Sequence, residues 1–243
     1  EIVGMFEPKR SLALEKAESE DSHTVLAAFR ALADELSCWL LIGSISIKLD
    51  GDKLSNRSFL VGPDGAIVAR YSKIHMFDVQ VGDGATYRES HTYEPGTEAV
   101  LAATPWGPLG MTICYDIRFP ALYRTLAQAG AGMITAPAAF TQVTGQAHWH
   151  VLQRARAIEN GAFIISAAQT GTHAEGRRTY GHSVIVAPWG EVLADAGEAP
   201  GVITAEIDLA DVAKARGKVP SLSHDRVFAA PRAAEAAPVA AGE

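Results

Sequence analysis

"GMTICYDIRFPALYRTLAQAGAGMITAPAA", residues 110–139, reads as a strand, a helix and a second strand. An apolar run climbs through Met111 and Ile113 to Cys114, breaks into Tyr115-Asp116-Ile117-Arg118, continues as the helical "FPALYRTLAQAGA" and re-enters an apolar strand at "GMITAPAA". Apolar strands joined through a helix imply a sheet with helices packed on it, the α/β class.

Working outward, the flanking segments repeat the pattern. Upstream, "AVLAATPWG" pairs as a hairpin with "LGMTICYD" around Trp106-Gly107-Pro108. Before that, "CWLLIGSISIKL", "NRSFLVG" and "AIVARYSK", separated by the turns "DGDK" and "PDG", make a three-stranded meander. A helix over 21–37 places Val25, Leu26, Phe29, Leu32, Ala33 and Leu36 at helical spacing, with Asp21 or Ser22 as its cap. Downstream, "QAHWHVLQRARAIENG" is a helix, "AFIISAAQT" a strand, "HSVIVAP", "VLADAG" and "GVITAEID" hairpin-like strands, and "LADVAKARG" a short helix. Residues 74–96 read as a long loop, a length usually tied to function. The expected organisation is one domain over 1–228, followed by an Ala/Pro-rich, mobile tail over 229–243.

Composition narrows the functional classes. The 243 residues are 48% hydrophobic and 20% charged, an ordinary globular balance. The net charge of -7 comes without a basic stripe, so nucleic acid is an unsuitable partner. Two cysteines, Cys38 and Cys114, and the lack of a long apolar run argue against a disulfide framework and a membrane span, and for a reducing, cytoplasmic setting.

The local pattern leaves Cys114 between two readings: a small core residue, or a nucleophile on a strand-to-helix bend whose following amide N–H can serve an oxyanion. Cys38 has no polar break after it and reads as core. A catalytic thiol also needs a base or cation nearby. None of the eight histidines marks itself as that base, and His148 and His150, two apart on a helix, do not face each other as a metal pair. Lys73 ends an apolar strand as Cys114 does, although a strand-end lysine alone reads as surface charge.

In combination, "YSKIHMFDV", "GMTICYDIRFP", "APAAFTQVTGQAHWHVLQRARAIENGAFIISAAQTGTH" and "YGHSVIVAPWGEVLADAG" resemble the carbon-nitrogen hydrolases of the nitrilase superfamily, in its Nit-type amidase branch. The resemblance implies an α-β-β-α sandwich of two mixed sheets, assembly as a homodimer or larger homo-oligomer, no cofactor or metal, and a Glu-Lys-Cys triad. Cys114 matches the nucleophile, Lys73 the lysine that stabilises the tetrahedral intermediate and Glu89 the second glutamate. The triad glutamate falls on Glu1, with Glu7 as a rival in a less fitting context. That alignment also implies a strand and helix before Glu1, making the chain an N-terminally incomplete domain.

The implied chemistry is hydrolysis of an amide C–N bond in a small carboxylate-bearing molecule through a cysteine thioester, with Lys73 and the Tyr115 amide holding the oxyanion. Glu1, acting as base and then acid, is expected to have its pKa lifted toward neutrality. Phe140 and Thr141 fall where the family lines its pocket; Arg177 and Arg178, in a loop with His173, are candidates for the substrate carboxylate. "AAQTGTH" with "RRTYGHS" resembles deaminated glutathione amidases more than ω-amidases. A nitrilase, an N-carbamoyl amide hydrolase and a catalytically impaired scaffold on the same fold are the alternatives.

Overall fold

The computed structural model of the chain describes residues 1–82, 84 and 86–232. After a short helix α1 (Arg10–Lys16) and the helix α2 (Thr24–Glu35), the chain forms the expected meander of β1 (Leu40–Lys48), β2 (Leu54–Val61) and β3 (Ile67–Ser72). All three pair antiparallel, with Leu40 opposite Val61 and Arg57 opposite Ser72. The sheet shows why its sequence alternates: Ile42, Phe59 and Val61 are buried with Leu26 and Ala33 of α2, while Leu60 and Tyr71 join a second cluster. Burying a side chain such as Phe59 completely contributes about 2–3 kcal/mol.

The second sheet has six strands. In chain order these are β6 (Val100–Thr104), β7 (Gly107–Met111), β8 (Met133–Thr135), β9 (Phe163–Ser166), β12 (Val184–Val186) and β13 (Val192–Asp195). They stand side by side as β13-β12-β9-β8-β7-β6. The centre, β7-β8-β9, is parallel; its crossovers are α3 (Pro120–Gln128) and α4 (Gln142–Asn160). Tyr123, Leu126, Trp149 and Ala157 of these helices share one core with Met111, Ile134 and Phe163 of the sheet and with Leu60 and Tyr71 of the first sheet. The layers therefore run helix, sheet, sheet, helices, one sheet being mixed and the other antiparallel.

The remaining elements are short. Between β3 and β6 lies a hairpin of β4 (Asp78–Gln80) and β5 (Thr86–Arg88), followed by a turn of 3-10 helix at Glu89–His91, so the expected loop is partly ordered by its own pairing. Between β9 and β12 stands a second hairpin, β10 (Thr170–Thr172) with β11 (Arg178–Tyr180). Helix α5 (Ala210–Lys218) follows, and a 3-10 turn at Ser221–Ser223 comes after it.

Three expectations need correction. The cap of α2 is His23, whose Nδ1 accepts from the Leu26 amide at 3.4 Å; Asp21 and Ser22 sit one turn earlier in a 3-10 helix. Helix α4 begins at Gln142, four residues before the expected start, because the Thr141 hydroxyl caps it by accepting from the Thr144 amide at 3.3 Å. Val143, Thr144 and Gly145 are poor helix formers, and Gly145 is fixed by packing, since a Cβ there would stand 2.2 Å from Tyr180. The segment "GVITAEID" joins no sheet, and Val202 within it is exposed. From residue 233 onward the proposed tail lies outside the described residues.

Candidate active site

Lys73 directly follows β3, Cys114 opens a 3-10 turn (Cys114–Arg118) beyond β7, and Ala139 lies shortly past β8. Side chains at the carboxyl ends of neighbouring strands converge on a crevice. Glu1 reaches the same place from beside β1, where the Ile2 amide donates to Ser44 Oγ at 2.9 Å and the Val3 amide to the Ser44 carbonyl at 2.7 Å. Gly43 permits that approach: a Cβ there would stand 3.3 Å from the Glu1 nitrogen and 3.2 Å from the Pro137 ring.

The charged groups form one cluster. Lys73 Nζ donates to Glu1 Oε1 at 2.7 Å and to Glu89 Oε2 at 2.8 Å. Asn56 Nδ2 bridges the same carboxylates, 3.0 Å from Glu1 Oε1 and 3.1 Å from Glu89 Oε1. Backbone amides fill the remaining acceptors, Ala139 to Glu1 Oε2 at 2.9 Å and Phe77 to Glu89 Oε2 at 2.7 Å. Lys73 is 2% exposed and Glu1 8%, so these charges are stabilised by one another and by N–H donors and not by water.

Cys114 is held as firmly. Its amide donates to the Pro137 carbonyl at 2.8 Å, and its φ of +47° lies in the left-handed region, unusual for a residue with a side chain. Asp116, fully buried, fixes the turn: its carboxylate accepts from the Ile113 amide at 2.8 Å and the Tyr71 hydroxyl at 2.7 Å, and from the His75 amide at 3.1 Å. Asp116 thus joins the cysteine turn to the segment carrying Lys73. The Tyr115 amide donates to no other described residue.

Burial raises the Cys114 thiol, and the neighbouring Glu1 charge raises it further against the pull of Lys73. For Glu1, burial acts upward but is outweighed, chiefly by the charge and hydrogen bond of Lys73, and the carboxyl lies down at about 2. Lys73 lies well above its ordinary value, because Glu1 and Glu89 outweigh its burial. The expected lift of Glu1 toward neutrality is therefore reversed in the resting site. Closure from water does act upward, as anticipated, and is the largest single influence, but the charge and hydrogen bond of Lys73 at 2.7 Å act with the other neighbours to outweigh it.

In front of these groups opens a cavity of about 750 Å³, within the range of small-molecule sites. Glu1, Lys73, Glu89, Cys114 and Tyr115 line it, as do Phe140, Arg177 and Arg178; Thr141 does not. Thr141 is turned into its capping bond, and its neighbours Gln142 and Thr144 face the space instead. Arg177 lies over Phe6 at 4.5 Å and over Tyr87 at 5.2 Å, and its Nη2 is 3.4 Å from the Ala139 carbonyl. Its Nε is buried with no acceptor among the described residues. Arg178 is exposed at the rim. His173 bonds Thr179 and packs tilted against Phe6, outside the lining.

Asn56, the Ala139 amide, Arg88 and Phe6 are site groups that sequence reasoning missed. Asn56 alone left a signal: a poor strand former inside a strand, which must find partners when buried.

Similarity to known proteins agrees with this picture. The model of the carbon-nitrogen hydrolase family matches residues 2–217. A deaminated glutathione amidase of Synechocystis is 43% identical over 236 residues, covering 94% of this chain and 86% of that protein. An omega-amidase of Bos taurus is 40% identical over 195 residues, covering 80% and 70%. Among solved structures, the NitFhit protein of C. elegans superposes with a TM-score of 0.80 at 39% identity, covering 89% of this chain and 52% of that one.

Proposed function

The chain belongs to the carbon-nitrogen hydrolase family, and from that premise we propose that it is an amidase cleaving a small carboxylate-bearing amide through a thioester on Cys114. The observation that carries the reading is the buried cluster in which one ammonium, Lys73, meets two carboxylates, Glu1 and Glu89, at the mouth of the turn that holds Cys114.

The resting state keeps the thiol protonated beside an ionised Glu1. Sulfur attacks the amide carbon as its proton passes to Glu1, and the carbonyl electron pair moves to oxygen, stabilised by Lys73 Nζ and the Tyr115 N–H. As Lys73 turns a donor toward the oxyanion, its hold on Glu1 weakens. The Glu1 carboxyl then rises toward the value a general acid needs. Collapse breaks the C–N bond, and Glu1 gives its proton to the departing nitrogen. Water, deprotonated by Glu1, adds to the thioester and expels the sulfur, which recovers the proton. Glu89 and Asn56 keep Lys73 charged and aimed throughout.

Arg177 supports the preference for an anion. Its guanidinium is half-buried on aromatic rings, is joined to the Ala139 peptide that holds Glu1, and has one N–H with no acceptor. A substrate carboxylate fills that position with a charge-assisted bond. Within the class, deaminated glutathione is the favoured substrate: its amide nitrogen carries a peptide, and the cavity continues from Cys114 to exposed Arg88 and Arg178, which suit a second carboxylate on the leaving side. An unsubstituted ω-amide is the second reading, supported by the similarity to the Bos taurus protein. The same reading includes a cytoplasmic setting and a homodimer or larger assembly, for which exposed Val151 and Ile158 on α4 offer an apolar face.

Intact-mass spectrometry of the protein mixed with deaminated glutathione, an unsubstituted ω-amide, a nitrile and a carbamoyl compound tests this. The expected adduct is an acyl group on Cys114, absent in Cys114→Ser, with fastest turnover on deaminated glutathione. No acyl adduct and no turnover on any of the four would leave a scaffold.

A further inference from the structure

Away from the cavity, three side chains from separate elements aim at one point. His150 projects from α4, His182 stands in the loop before β12, and Asp195 ends β13. His150 Nε2 is 2.7 Å from Asp195 Oδ2, and His182 Nδ1 is 2.9 Å from Asp195 Oδ1. One nitrogen of each ring and a carboxylate oxygen all lie within 4.8 Å of one another. None of the three lines the catalytic cavity.

We propose that His150, His182 and Asp195 form a binding site for a divalent transition ion of the zinc class. Two imidazole nitrogens and one carboxylate oxygen are a donor set suited to such an ion. Tetrahedral bonds of about 2.0–2.1 Å separate neighbouring ligand atoms by roughly 3.3 Å, so the two nitrogen–oxygen contacts open by about half an ångström to admit the metal, and the two ring nitrogens, already within 4.8 Å of each other, settle at a similar spacing. Each imidazole then presents its lone pair where it now presents a hydrogen, with the proton moved to His150 Nδ1 and His182 Nε2. Those nitrogens have no partner among the described residues, and both rings are only partly buried, so water can take their hydrogens. The remaining coordination position opens to solvent.

The surroundings hold the ligands in place. Asp195 Oδ1 also accepts from the Gly197 amide at 2.8 Å. His182, at a φ of +56°, is fixed by Trp149 Nε1 donating to its carbonyl at 2.8 Å, and Tyr180 stacks on its ring at 4.4 Å. The missing Cβ of Gly145 makes room for that Tyr180. The histidine pair considered in the sequence, His148 with His150, does not form: His148 Nδ1 lies 3.2 Å from Arg118 instead. With neutral imidazoles the cluster carries a net negative charge, and a bound cation would clamp α4 to the β12–β13 hairpin. The helix's next residue inward, Trp149, packs on Phe140 of the cavity wall at 4.8 Å, so the clamp stabilises that wall without touching the reacting atoms.

The test is equilibrium dialysis of the untagged full chain against zinc, with metal analysis and thermal melting. One zinc per chain is expected, removable by a chelator and raising the melting temperature by several degrees. His182→Gln and Asp195→Asn should each lose the zinc and the shift, whereas His148→Gln keeps both. Less than half an equivalent in the wild-type protein would show the trio to be a hydrogen-bonded clasp only. One equivalent retained in both His182→Gln and Asp195→Asn would place the ion elsewhere, on the Cys114 thiol for example; either result overturns the proposal.

Discussion

Replacing Lys73 by methionine removes the one cation among the described residues that Glu1 and Glu89 both touch. Glu1 and Glu89 would remain on the Asn56 amide, where two unit charges about 5 Å apart at an effective dielectric of 20 repel by roughly 3 kcal/mol. That is equivalent to about two pKa units, so one carboxyl retains a proton up to near neutrality and the resting base is compromised. The oxyanion also loses a donor that typically contributes about 3–4 kcal/mol, or two to three decades in rate. The expected result for Lys73→Met is a fall in kcat of about a thousandfold and in unfolding free energy of about 3 kcal/mol. Amide turnover at saturating substrate and urea unfolding measure the two. The double variant Glu89→Gln/Lys73→Met separates the causes: removing the repelling charge should restore most of the stability and none of the turnover. A folded Lys73→Met protein turning over within tenfold of wild type would refute the role given to this lysine.

Asp116→Ala leaves the Ile113 amide, the Tyr71 hydroxyl and the His75 amide without their buried acceptor, and should cost about 3–5 kcal/mol in urea unfolding together with most of kcat. Arg177→Ala should raise KM at least tenfold for an amide bearing a carboxylate and leave KM for a neutral amide nearly unchanged, as steady-state kinetics on the pair would report. The Glu1 carboxyl is depressed from 4.5 to about 2 in the folded chain, so its stabilising contribution is complete above pH 4.5 and is lost as pH falls through about 2. Acid unfolding across that window should therefore be steeper in the wild type than in Glu1→Gln.

The meander and the β7-α3-β8 unit were legible because apolar periodicity and turn residues agree there, at Asp50-Gly51 and at Asp64-Gly65 for example. The start of α4 was not, because a capping hydroxyl and the packing of Tyr180 on Gly145 overrule weak local propensity. Among the site groups, Lys73 and Cys114 are hard to separate from ordinary strand ends by their neighbours alone. Their meaning comes from Glu1 and Glu89, brought to Lys73 across 72 and 16 residues of sequence. Asn56 marks itself as a poor strand former, but the two acids it bridges are remote in sequence and give that mark no meaning locally, and the His150, His182 and Asp195 grouping is hidden because its members lie on three separate elements.

The left-handed backbone at Cys114 has a consequence for how such a protein ages over generations. Any residue with a Cβ resists that conformation by roughly 1–2 kcal/mol, and glycine does not. The fold and the chemistry therefore ask different things of the same position. A lineage released from the need for turnover could exchange the sulfur for a bare α-carbon with little damage to its architecture, so selection for a sound fold would not by itself preserve the nucleophile.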